Sequence, residues 1–417
     1  MRKLKPKFFL LASLIVFGSF SPNNDRVVAT LTVSSGQIDR FESIVTFSIE
    51  GTGLPSDQQY ALFEKVDGKE LPIDIQFSTE NESIIHWQLS GKTAAKTDRS
   101  FYLKRAQQAS NSVCALEVKA QKGSYHFLLN NKKVFTYQAD VVDPPSGVDS
   151  FYKRGGFIHP LYAPNEAILT AIQPADHYHH YGIWNPWTKT NFLGEEIDFW
   201  NLAKGQGTII NNGVSDINKG NILASIKAKH KHITWPETEK SKEAITELQE
   251  MILYNRTDGK FLIQLNSTMI PQESIILQEY RYGGFGYRAT EYWTNENSKV
   301  FTSEGLDRKE ADGQPARWCV VVGDTPQGKA GILFMGHPDN FNFPEPLRVW
   351  PVDANNNRGD VFINFSPTRN KDWQLEKGKN YMLKYRMLIF EGDLSATEAE
   401  NIWNDFAHPV QVTFSLK

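Results

Sequence analysis

Cysteine is scarce in this 417-residue chain, which contains only Cys114 and Cys319. So few cysteines exclude a disulfide framework, and since the strand pattern puts the two in different domains, we expect two buried thiols. The chain also lacks a large excess of charge of either sign, because 45 Lys and Arg nearly balance 48 Asp and Glu, for a net charge of -3. This balance provides no positive field for a polyanion, so we expect no nucleic-acid partner.

The motifs of several enzyme classes are missing as well. The sequence has no Gly-x-Ser-x-Gly nucleophile motif, no Walker phosphate loop, no dinucleotide fingerprint and no His-Glu-x-x-His zinc motif. We therefore expect no nucleotide cofactor and no hydride transfer that depends on one. Beyond residue 21 no segment is apolar enough to span a bilayer as a helix, so we expect no stable membrane insertion.

Residues 1–21 have the pattern of a secretory signal peptide. Four basic residues lie between positions 2 and 7, an apolar segment covers residues 8–20, and small residues near position 21 allow cleavage. The apolar segment is shorter than the roughly 20 residues that a membrane-spanning helix needs. We therefore expect a periplasmic or secreted protein, with an uncleaved N-terminal anchor as the alternative.

Strand patterns fill the rest of the chain and predict an all-β fold. Short alternating runs bounded by Gly, Asn or Asp predict a small antiparallel β-sandwich within residues 22–142. Residues 143–149 contain two prolines and a glycine and are typical of a linker. Longer strands predict a large two-layer β-sandwich over residues 150–417. We expect one helix there, over residues 395–406, with Ser395 and Glu398 forming a capping box.

The most unusual stretch covers residues 173–187, where three of the ten histidines lie among two tyrosines and two tryptophans. Imidazole transfers protons or binds metals near neutral pH, and flat aromatic faces suit the C–H faces of sugars. We therefore predict a functional site with His177, His179 and His180 as catalytic candidates and Trp184 and Trp187 as substrate-binding candidates. The alternative is a core strand whose histidines are hydrogen-bonded.

A metal at this stretch is a separate hypothesis. If the stretch is a strand, His177 and His179 share one face and His180 takes the other, because successive side chains alternate. His177 and His179 could then supply two ligands to a divalent metal, but the spacing identifies no third ligand. The sequence thus gives a candidate metal site and no certain cofactor.

Two further stretches contribute candidates. Residues 278–293 interleave charged and aromatic side chains, and the planar fork of arginine binds carboxylates, sulfates and sugar hydroxyls. Residues 335–350 follow a strong strand, and loops at strand ends are where sites are usually built. From these stretches we predict three catalytic candidates, Glu291, His337 and Tyr287, and five substrate-binding candidates, Arg281, Arg288, Asn340, Arg348 and Trp350. A surface ion pair is the alternative role for Glu291.

This set of side chains suits proton transfer at a carbon next to a carbonyl or carboxylate. A base removes the proton, arginine or a metal stabilises the enolate, and an acid protonates the leaving oxygen. We therefore predict an enzyme that acts on oligosaccharides, of the lyase, dehydratase or epimerase type. Two alternatives stay open: a non-catalytic carbohydrate-binding protein that uses the same tryptophans, and a glycoside hydrolase that uses paired carboxylates.

Four segments carry a family resemblance: Arg154-Gly-Gly-Phe-Ile-His-Pro-Leu-Tyr162, His177-Tyr-His-His-Tyr-Gly-Ile-Trp184, Gly336-His-Pro-Asp-Asn340 and Tyr385-Arg-Met-Leu-Ile-Phe-Glu-Gly392. Over about residues 150–410 they resemble an exported family labelled "methane oxygenase PmoA-like". That label implies no activity here, because the methane monooxygenase subunit of that name is a membrane protein. The family's strand pattern is similar to galactose-mutarotase-like supersandwiches. The resemblance implies a supersandwich domain, a place in polysaccharide degradation and an oligosaccharide substrate, with an acidic group as one option.

Overall fold

The computed structural model describes residues 26–78, 81, 83–106 and 114–417. The predicted signal peptide of residues 1–21 lies outside the described residues. Within those ranges, no helix combines the length and the apolar character that crossing a membrane requires.

The described residues form 28 β-strands, one α-helix and one short 3-10 helix. The first ten strands are β1 (Val27–Ser34), β2 (Arg40–Ser48), β3 (Tyr60–Val66), β4 (Lys69–Ile73), β5 (Gln76–Phe77), β6 (Ile84–Thr93), β7 (Asp98–Arg105), β8 (Leu116–Gln121), β9 (Ser124–Leu129) and β10 (Lys132–Gln138). After the 3-10 helix Ser150–Tyr152 come β11 (Phe157–Leu161), β12 (Ile183–Trp184), β13 (Thr190–Phe192), β14 (Glu195–Ile197), β15 (Gly207–Asn218), β16 (Leu223–Thr234), β17 (Lys242–Tyr254), β18 (Phe261–Pro271) and β19 (Ile275–Leu277). The last elements are β20 (Phe285–Arg288), β21 (Ser298–Thr302), β22 (Trp318–Thr325), β23 (Gly328–Gly336), β24 (Leu347–Val349), β25 (Phe362–Phe365), β26 (Trp373–Leu375), β27 (Tyr381–Glu391), α1 (Ala396–Ala407) and β28 (Gln411–Leu416).

Two eight-stranded antiparallel sheets form the large sandwich. The front sheet has the order β24-β25-β20-β12-β11-β10-β9-β8, and the back sheet has the order β15-β16-β17-β18-β27-β23-β22-β21. Alternating apolar residues of both sheets meet in one core, in which Tyr287 and Ile363 of the front sheet join Ile263 and Phe334 of the back sheet. A four-stranded sheet, β14-β13-β19-β26, adjoins this sandwich. The core forms because each strand buries the face that points to the opposite sheet.

A smaller sandwich contains the strands β1 to β7 and the C-terminal strand β28. It consists of a five-stranded sheet, β28-β1-β7-β3-β4, and a three-stranded sheet, β2-β6-β5, around a separate core that includes Leu31, Trp87 and Phe101. The helix α1 packs on the outer face of the back sheet through Trp403 and Phe406. Its predicted capping box at Ser395 is present.

The all-β prediction, with a small sandwich followed by a large one, is confirmed. The sheet pairing differs from the predicted domain limits, however. Strands β8–β10 were assigned to the first domain, but they continue the front sheet, where Tyr137 pairs with Ile158. The predicted linker at 143–149 therefore lies between β10 and β11, two neighbouring strands of the front sheet. The sequence pattern did not reveal this, because short alternating strands look alike whichever sandwich they join. The two cysteines are unpaired: Cys319 is buried as expected, whereas Cys114 is only partly buried.

Candidate functional site

A cavity of about 430 Å³ opens on the side of the front sheet that faces away from the shared core. Strand alternation decides which side chains reach this side. Trp184 and Phe362 join an aromatic cluster there, and Arg288 lies beside it, over the ring of Trp350. Tyr287, next to Arg288 in β20, points the opposite way into the core. The front sheet thus supplies the floor of the cavity, and the loops around it supply the walls.

The predicted histidine stretch forms two successive turns rather than a strand. The backbone N–H of His177 donates to the carbonyl of Pro174 (2.9 Å), and that of His180 donates to the carbonyl of His177 (3.0 Å). A further bond from Gln173 N–H to the His180 carbonyl (2.7 Å) closes the segment. A turn brings residues three apart close together. The strand geometry considered for His177 and His179, with His180 on the other face, is therefore wrong.

The turns gather three imidazoles into one cluster at the cavity. The rings of His177 and His180 are stacked, with centroids 4.7 Å apart, and His179 meets them at 5.3 and 4.8 Å. One ring nitrogen of each histidine lies within 4.8 Å of the others. The structure thereby adds His180 to the two metal-ligand candidates that the spacing suggested.

Aromatic rings fix the orientation of this cluster. Trp350 lies 4.7 Å from the ring of His177 and 5.4 Å from that of His180, and Phe362 stacks on His180 at 4.9 Å. Trp184 contacts the same imidazole from behind at 5.3 Å. Because His180 is only 3% exposed, its ring is held by packing on several sides. These contacts restrict the imidazoles to few orientations.

A chain of charged groups supports His177. The Nδ1 atom of His177 lies 2.8 Å from a carboxylate oxygen of Asp176, and Arg288 contacts the same carboxylate at 3.0 Å. Arg288 also pairs with Asp360 at 2.8 Å, and Asn355 donates to Asp360 at 2.7 Å. Burial opposes the ionisation of Asp176, but the hydrogen bond from His177 and the charge of Arg288 outweigh it and lower its pKa to about 2. Asp176 is therefore a carboxylate near neutral pH.

Burial makes the two other imidazoles neutral. It lowers the pKa of His179 to about 4, with a further contribution from the neighbouring His177. Burial and the nearby His179 hold the pKa of His180 well below its ordinary value. Loss of hydration disfavours the charged form of a histidine, which explains both directions. Neutral imidazoles keep a nitrogen lone pair available.

The opposite wall is aromatic and polar. The hydroxyl of Tyr282 donates to the side-chain carbonyl of Asn201 (3.1 Å), and burial raises the pKa of this tyrosine. Trp200 packs against Tyr282 with a centroid distance of 5.2 Å. Arg348 pairs with Asp312 at 2.9 Å. Arg281 is exposed at the cavity, and among the described residues no carboxylate forms an ion pair with it.

Six predicted site residues line this cavity. They are His177, His179, His180, Arg281, Arg348 and Trp350. Trp184 and Arg288 lie directly behind them and contact His180 and Asp176, respectively. The structure therefore brings together candidates that are up to 173 residues apart in the sequence, as the numbers of His177 and Trp350 show.

The remaining predicted residues do not line the cavity. Trp187 is fully buried in the shared core, where it packs against Trp373. The hydroxyl of Tyr287 donates to the carbonyl of Leu169 inside the sandwich (2.6 Å), because strand parity turns it inward. The catalytic role predicted for Tyr287 and the binding role predicted for Trp187 are thus not supported by their positions.

Three more candidates lie elsewhere on the molecule. The ring of His337 packs edge-on against Phe406 of α1, with centroids 4.9 Å apart. The side-chain amide of Asn340 donates to buried Glu345 at 2.9 Å. Glu291 is exposed outside the cavity. Each follows a strand or a turn as expected, but none of the three lines the cavity.

The cavity also contains residues that the sequence analysis did not select. These are Trp200, Asn201, Tyr282, Pro351, Ala354, Asn355 and Phe362. Tyr282 lies within the charged and aromatic stretch 278–293, so its neighbours offered a signal. The run of three asparagines at 355–357, all with positive φ, marks a tight turn in the cavity wall. Phe362 and Trp200 had no local signal, because a single aromatic residue in a strand or loop is usually core.

Comparisons with known proteins complete this description. No curated protein matches the chain. Among solved structures, it is similar to a glycosyl hydrolase family 38 protein from Enterococcus faecalis, at 10% identity and a TM-score of 0.46, covering 94% of this chain and 48% of that one. The chain thus spans about half the length of that protein. It is also similar to a galactose mutarotase related enzyme from Lactobacillus acidophilus, at 8% identity and a TM-score of 0.33, covering 67% of this chain and 100% of that one.

A family model matches residues 124–404, from strand β9 to the helix α1. The match covers more than half of the chain and includes the whole histidine segment. It gives no support to the "PmoA-like" label of the resemblance. The chain belongs to DUF6807, a family of unknown function.

Proposed function

We propose that the protein is an exported carbohydrate-active enzyme that acts on oligosaccharides by proton transfer at a sugar carbon. The observation that carries this proposal is the cavity on the front sheet, in which three imidazoles face an aromatic and polar wall. Its volume of about 430 Å³ is in the range of small-molecule sites, roughly 300–1,000 Å³. Such a space holds one or two sugar rings.

The wall residues have the chemistry that sugar binding requires. Trp200, Tyr282 and Trp350 offer flat faces on which the C–H side of a sugar ring can stack. Asn201 and Asn355 bring amide groups to the same space, and amides both donate to and accept from hydroxyls. A binding site of this kind is apolar over most of its area and fixes orientation with few polar groups.

The charge of the cavity supports a substrate with an acidic group. Arg281 is exposed at the cavity and unpaired among the described residues, so its guanidinium is available to a ligand. Arg348 reaches the same space, although Asp312 neutralises it in part. A planar guanidinium binds a carboxylate through two parallel hydrogen bonds. A uronic acid is the sugar class that fits this feature.

The titratable groups at the cavity favour proton transfer over hydrolysis by paired carboxylates. Within the described ranges, no Asp or Glu belongs to the residues that line the cavity. A glycoside hydrolase of the common type needs two carboxyl groups on either side of the scissile bond. The lone pair of an imidazole can instead accept the proton of a sugar C–H bond. It can also hold a cation beside the carbonyl or carboxylate group that makes this C–H bond acidic. A lyase, dehydratase or epimerase reaction uses this step.

Export is part of the proposal and is supported by the sequence of residues 1–21. Its basic, apolar and small-residue segments occur in the order of a secretory signal. Expression of the full-length chain followed by N-terminal sequencing of the product would test it. We expect cleavage near residue 21, and an intact N-terminus on a cytoplasmic product would contradict it.

A panel of neutral and acidic oligosaccharides tests the enzymatic proposal. Turnover and binding are measured for the wild type, for His179→Ala and for His126→Ala, a control whose histidine lies on β9, outside the cavity. We expect turnover by the wild type and by His126→Ala. His179→Ala should lose at least about 100-fold, the usual size of acid–base catalysis.

The other outcomes contradict the proposal in distinct ways. Binding of a sugar without any turnover would favour a carbohydrate-binding protein. Release of a new reducing end without an unsaturated or isomerised sugar would favour hydrolysis. Equal turnover by His179→Ala and the wild type would remove the histidine cluster from the chemistry.

A further inference from the structure

We propose that His177, His179 and His180 bind one divalent transition-metal ion at the inner end of the cavity. The metal site is independent of the proposed sugar chemistry, because three imidazoles would bind an ion whatever else the cavity holds. The sequence suggested two ligands; the turn at residues 177–180 supplies the third.

The donor geometry is close to that of a three-histidine site. One nitrogen from each ring lies within 4.8 Å of the other two. Around a zinc ion, with Zn–N bonds of about 2.1 Å, tetrahedral nitrogen ligands are about 3.4 Å apart. Binding one ion would therefore require the rings to turn toward one another. His177 and His179, which are less buried than His180, are the two that can move.

Asp176 prepares His177 to act as a ligand. Its carboxylate lies 2.8 Å from Nδ1 of His177, and since a carboxylate only accepts hydrogen bonds, the neutral imidazole would carry its proton on Nδ1 and present Nε2 to a metal. Metal-binding histidines usually donate their second N–H to a carboxylate, which orients the ring and increases its basicity. Arg288, itself 2% exposed, fixes that carboxylate in turn. This is the arrangement found behind metal ligands.

The second independent observation is at His180. Its Nδ1 is buried and makes no hydrogen bond, and it is the one such atom among the described residues that line the cavity. Buried polar atoms are rarely left without a partner, because an unsatisfied group costs about 1–3 kcal/mol. Neither His179 nor Asp176 forms a hydrogen bond with this ring. A cation bound at the cluster would give the His180 imidazole a polar partner, which the described protein groups do not provide.

The surroundings match a site that acts on a substrate. Three protein ligands leave coordination positions open, which is the pattern of catalytic rather than structural zinc sites. Those positions face the cavity, since all three histidines line it. Behind the cavity, Trp184 packs against the ring of His180, with centroids 5.3 Å apart. In the described part of the chain, no second group of three His, Cys, Asp or Glu residues is gathered in this way.

Metal titration of the tag-free protein tests the site directly. Protein treated with EDTA and then dialysed is titrated with ZnCl₂ by calorimetry, and with CoCl₂ while its visible absorption is recorded. We expect one equivalent of ion, and a cobalt spectrum typical of low coordination number. His177→Gln and His179→Gln should each weaken zinc binding by more than about 100-fold, since losing even an outer partner costs 10–100-fold.

His126→Gln is the matched control, because it removes an imidazole that lies on β9 away from the cavity. It should bind zinc as the wild type does, and thermal unfolding in EDTA should show that all variants are folded. The site would be overturned if the wild type bound neither zinc nor cobalt. It would also be overturned if His177→Gln and His179→Gln bound zinc as tightly as the wild type does. Metal binding without sugar turnover would support the site and contradict the proposed function, so the two are separable.

Discussion

The chain contains two His-x-His pairs, and the structure uses them in opposite ways. His230 and His232 lie on one face of strand β16 and are fully buried in the large sandwich. His230 bonds to the hydroxyl of Tyr137 (2.5 Å), and His232 bonds to the carboxylate of Glu247 (2.8 Å). The pair at 177 and 179 lies in turns, gains His180 as a third member and faces a cavity.

This difference shows that spacing does not distinguish a structural histidine pair from a functional one. In β16 the extended backbone separates the two rings and directs each to its own partner, Tyr137 of the front sheet for His230 and Glu247 of neighbouring β17 for His232. In the turns the backbone folds back and brings the rings of His177 and His180 into contact. Backbone geometry and available partners therefore decide which pair can bind a ligand.

We expect the largest loss of stability when Glu247, the partner of His232 in the core pair, is replaced. Burial opposes the ionisation of Glu247, but the hydrogen bond from His232 and others from Ser267 and Gln249 lower its pKa to about 2. Glu247→Ala leaves these groups buried and unpaired, so we expect a loss of about 3–5 kcal/mol in the free energy of unfolding. Urea unfolding measures it.

Glu243→Ala on the same strand is the control for that loss. Glu243 pairs with Lys231 in a partly exposed position, where an ion pair contributes about 1 kcal/mol or less. If both variants lost the same stability, the core role assigned to the β16 pair would fail. If Glu247→Ala retained full stability, the same conclusion would follow.

Glu345 is a second buried carboxyl group, and it offers a test of the core through the pH dependence of stability. Burial raises the pKa of Glu345 to about 8, against the smaller opposite effect of hydrogen bonds from Asn340 and Tyr385. The folded state thus holds a proton that the unfolded state releases above pH 4.5. Its stabilising contribution is complete below that pH and is lost as the pH rises toward 8, at up to about 1.4 kcal/mol per pH unit.

Glu345→Gln removes this titration while keeping the size and hydrogen-bonding groups of the side chain. Subtracting its unfolding free energies from those of the wild type, measured in urea from pH 5 to pH 8, isolates the contribution of Glu345. We expect the free energy of unfolding of the wild type to fall relative to that of Glu345→Gln as the pH rises. A difference that stays constant would show that Glu345 does not bind the extra proton.

At the cavity, Asp176→Asn should weaken metal binding while leaving the fold in place. The variant keeps a hydrogen-bond acceptor for His177 but loses the negative charge beside the ring. Outer-shell changes of this kind usually cost 10–100-fold in affinity, or about 1.4–2.8 kcal/mol. Zinc calorimetry measures it, with Asp353→Asn, an exposed aspartate of the cavity loop, as the control. Equal effects of the two variants would contradict the positioning role of Asp176.

The smallest expected effect concerns Arg281. Because this guanidinium is exposed, its attraction for an acidic sugar is partly screened by solvent. We expect Arg281→Gln to weaken binding of an acidic oligosaccharide about tenfold or less, and more at low salt. Its neutral counterpart serves as the internal control and should bind unchanged. Equal losses for both sugars would exclude a charge-specific role.

Much of the fold could be predicted from the sequence, because strand alternation and helix caps are local signals. The consecutive strands β16, β17 and β18 and the capping box at Ser395 were expected from such patterns. The domain limit was not, since β8–β10 show the same alternation whether they join the small or the large sandwich. They join the front sheet through the pairing of β10 with β11, a contact that no local pattern contains.

For the site, composition identified the right segment but not its geometry. The crowding of histidines at 177–180 stood out, yet the only backbone geometry considered for it was a strand, and the turn bonds that begin at Pro174 were missed. Tyr287 and Arg288 are neighbours in β20, and only the register of the strand decides which one faces the cavity. Tyr282 reaches the cavity from the loop before β20, where no periodic signal exists.

The most direct test of the functional cluster is anomalous diffraction from crystals of the protein grown with zinc, recorded at the zinc absorption edge. We predict one strong peak at about 2.1 Å from a nitrogen of each of His177, His179 and His180. A zinc peak at His230 and His232 instead, or no peak at the cavity cluster when zinc binds elsewhere, would contradict the distinction between the two histidine groups.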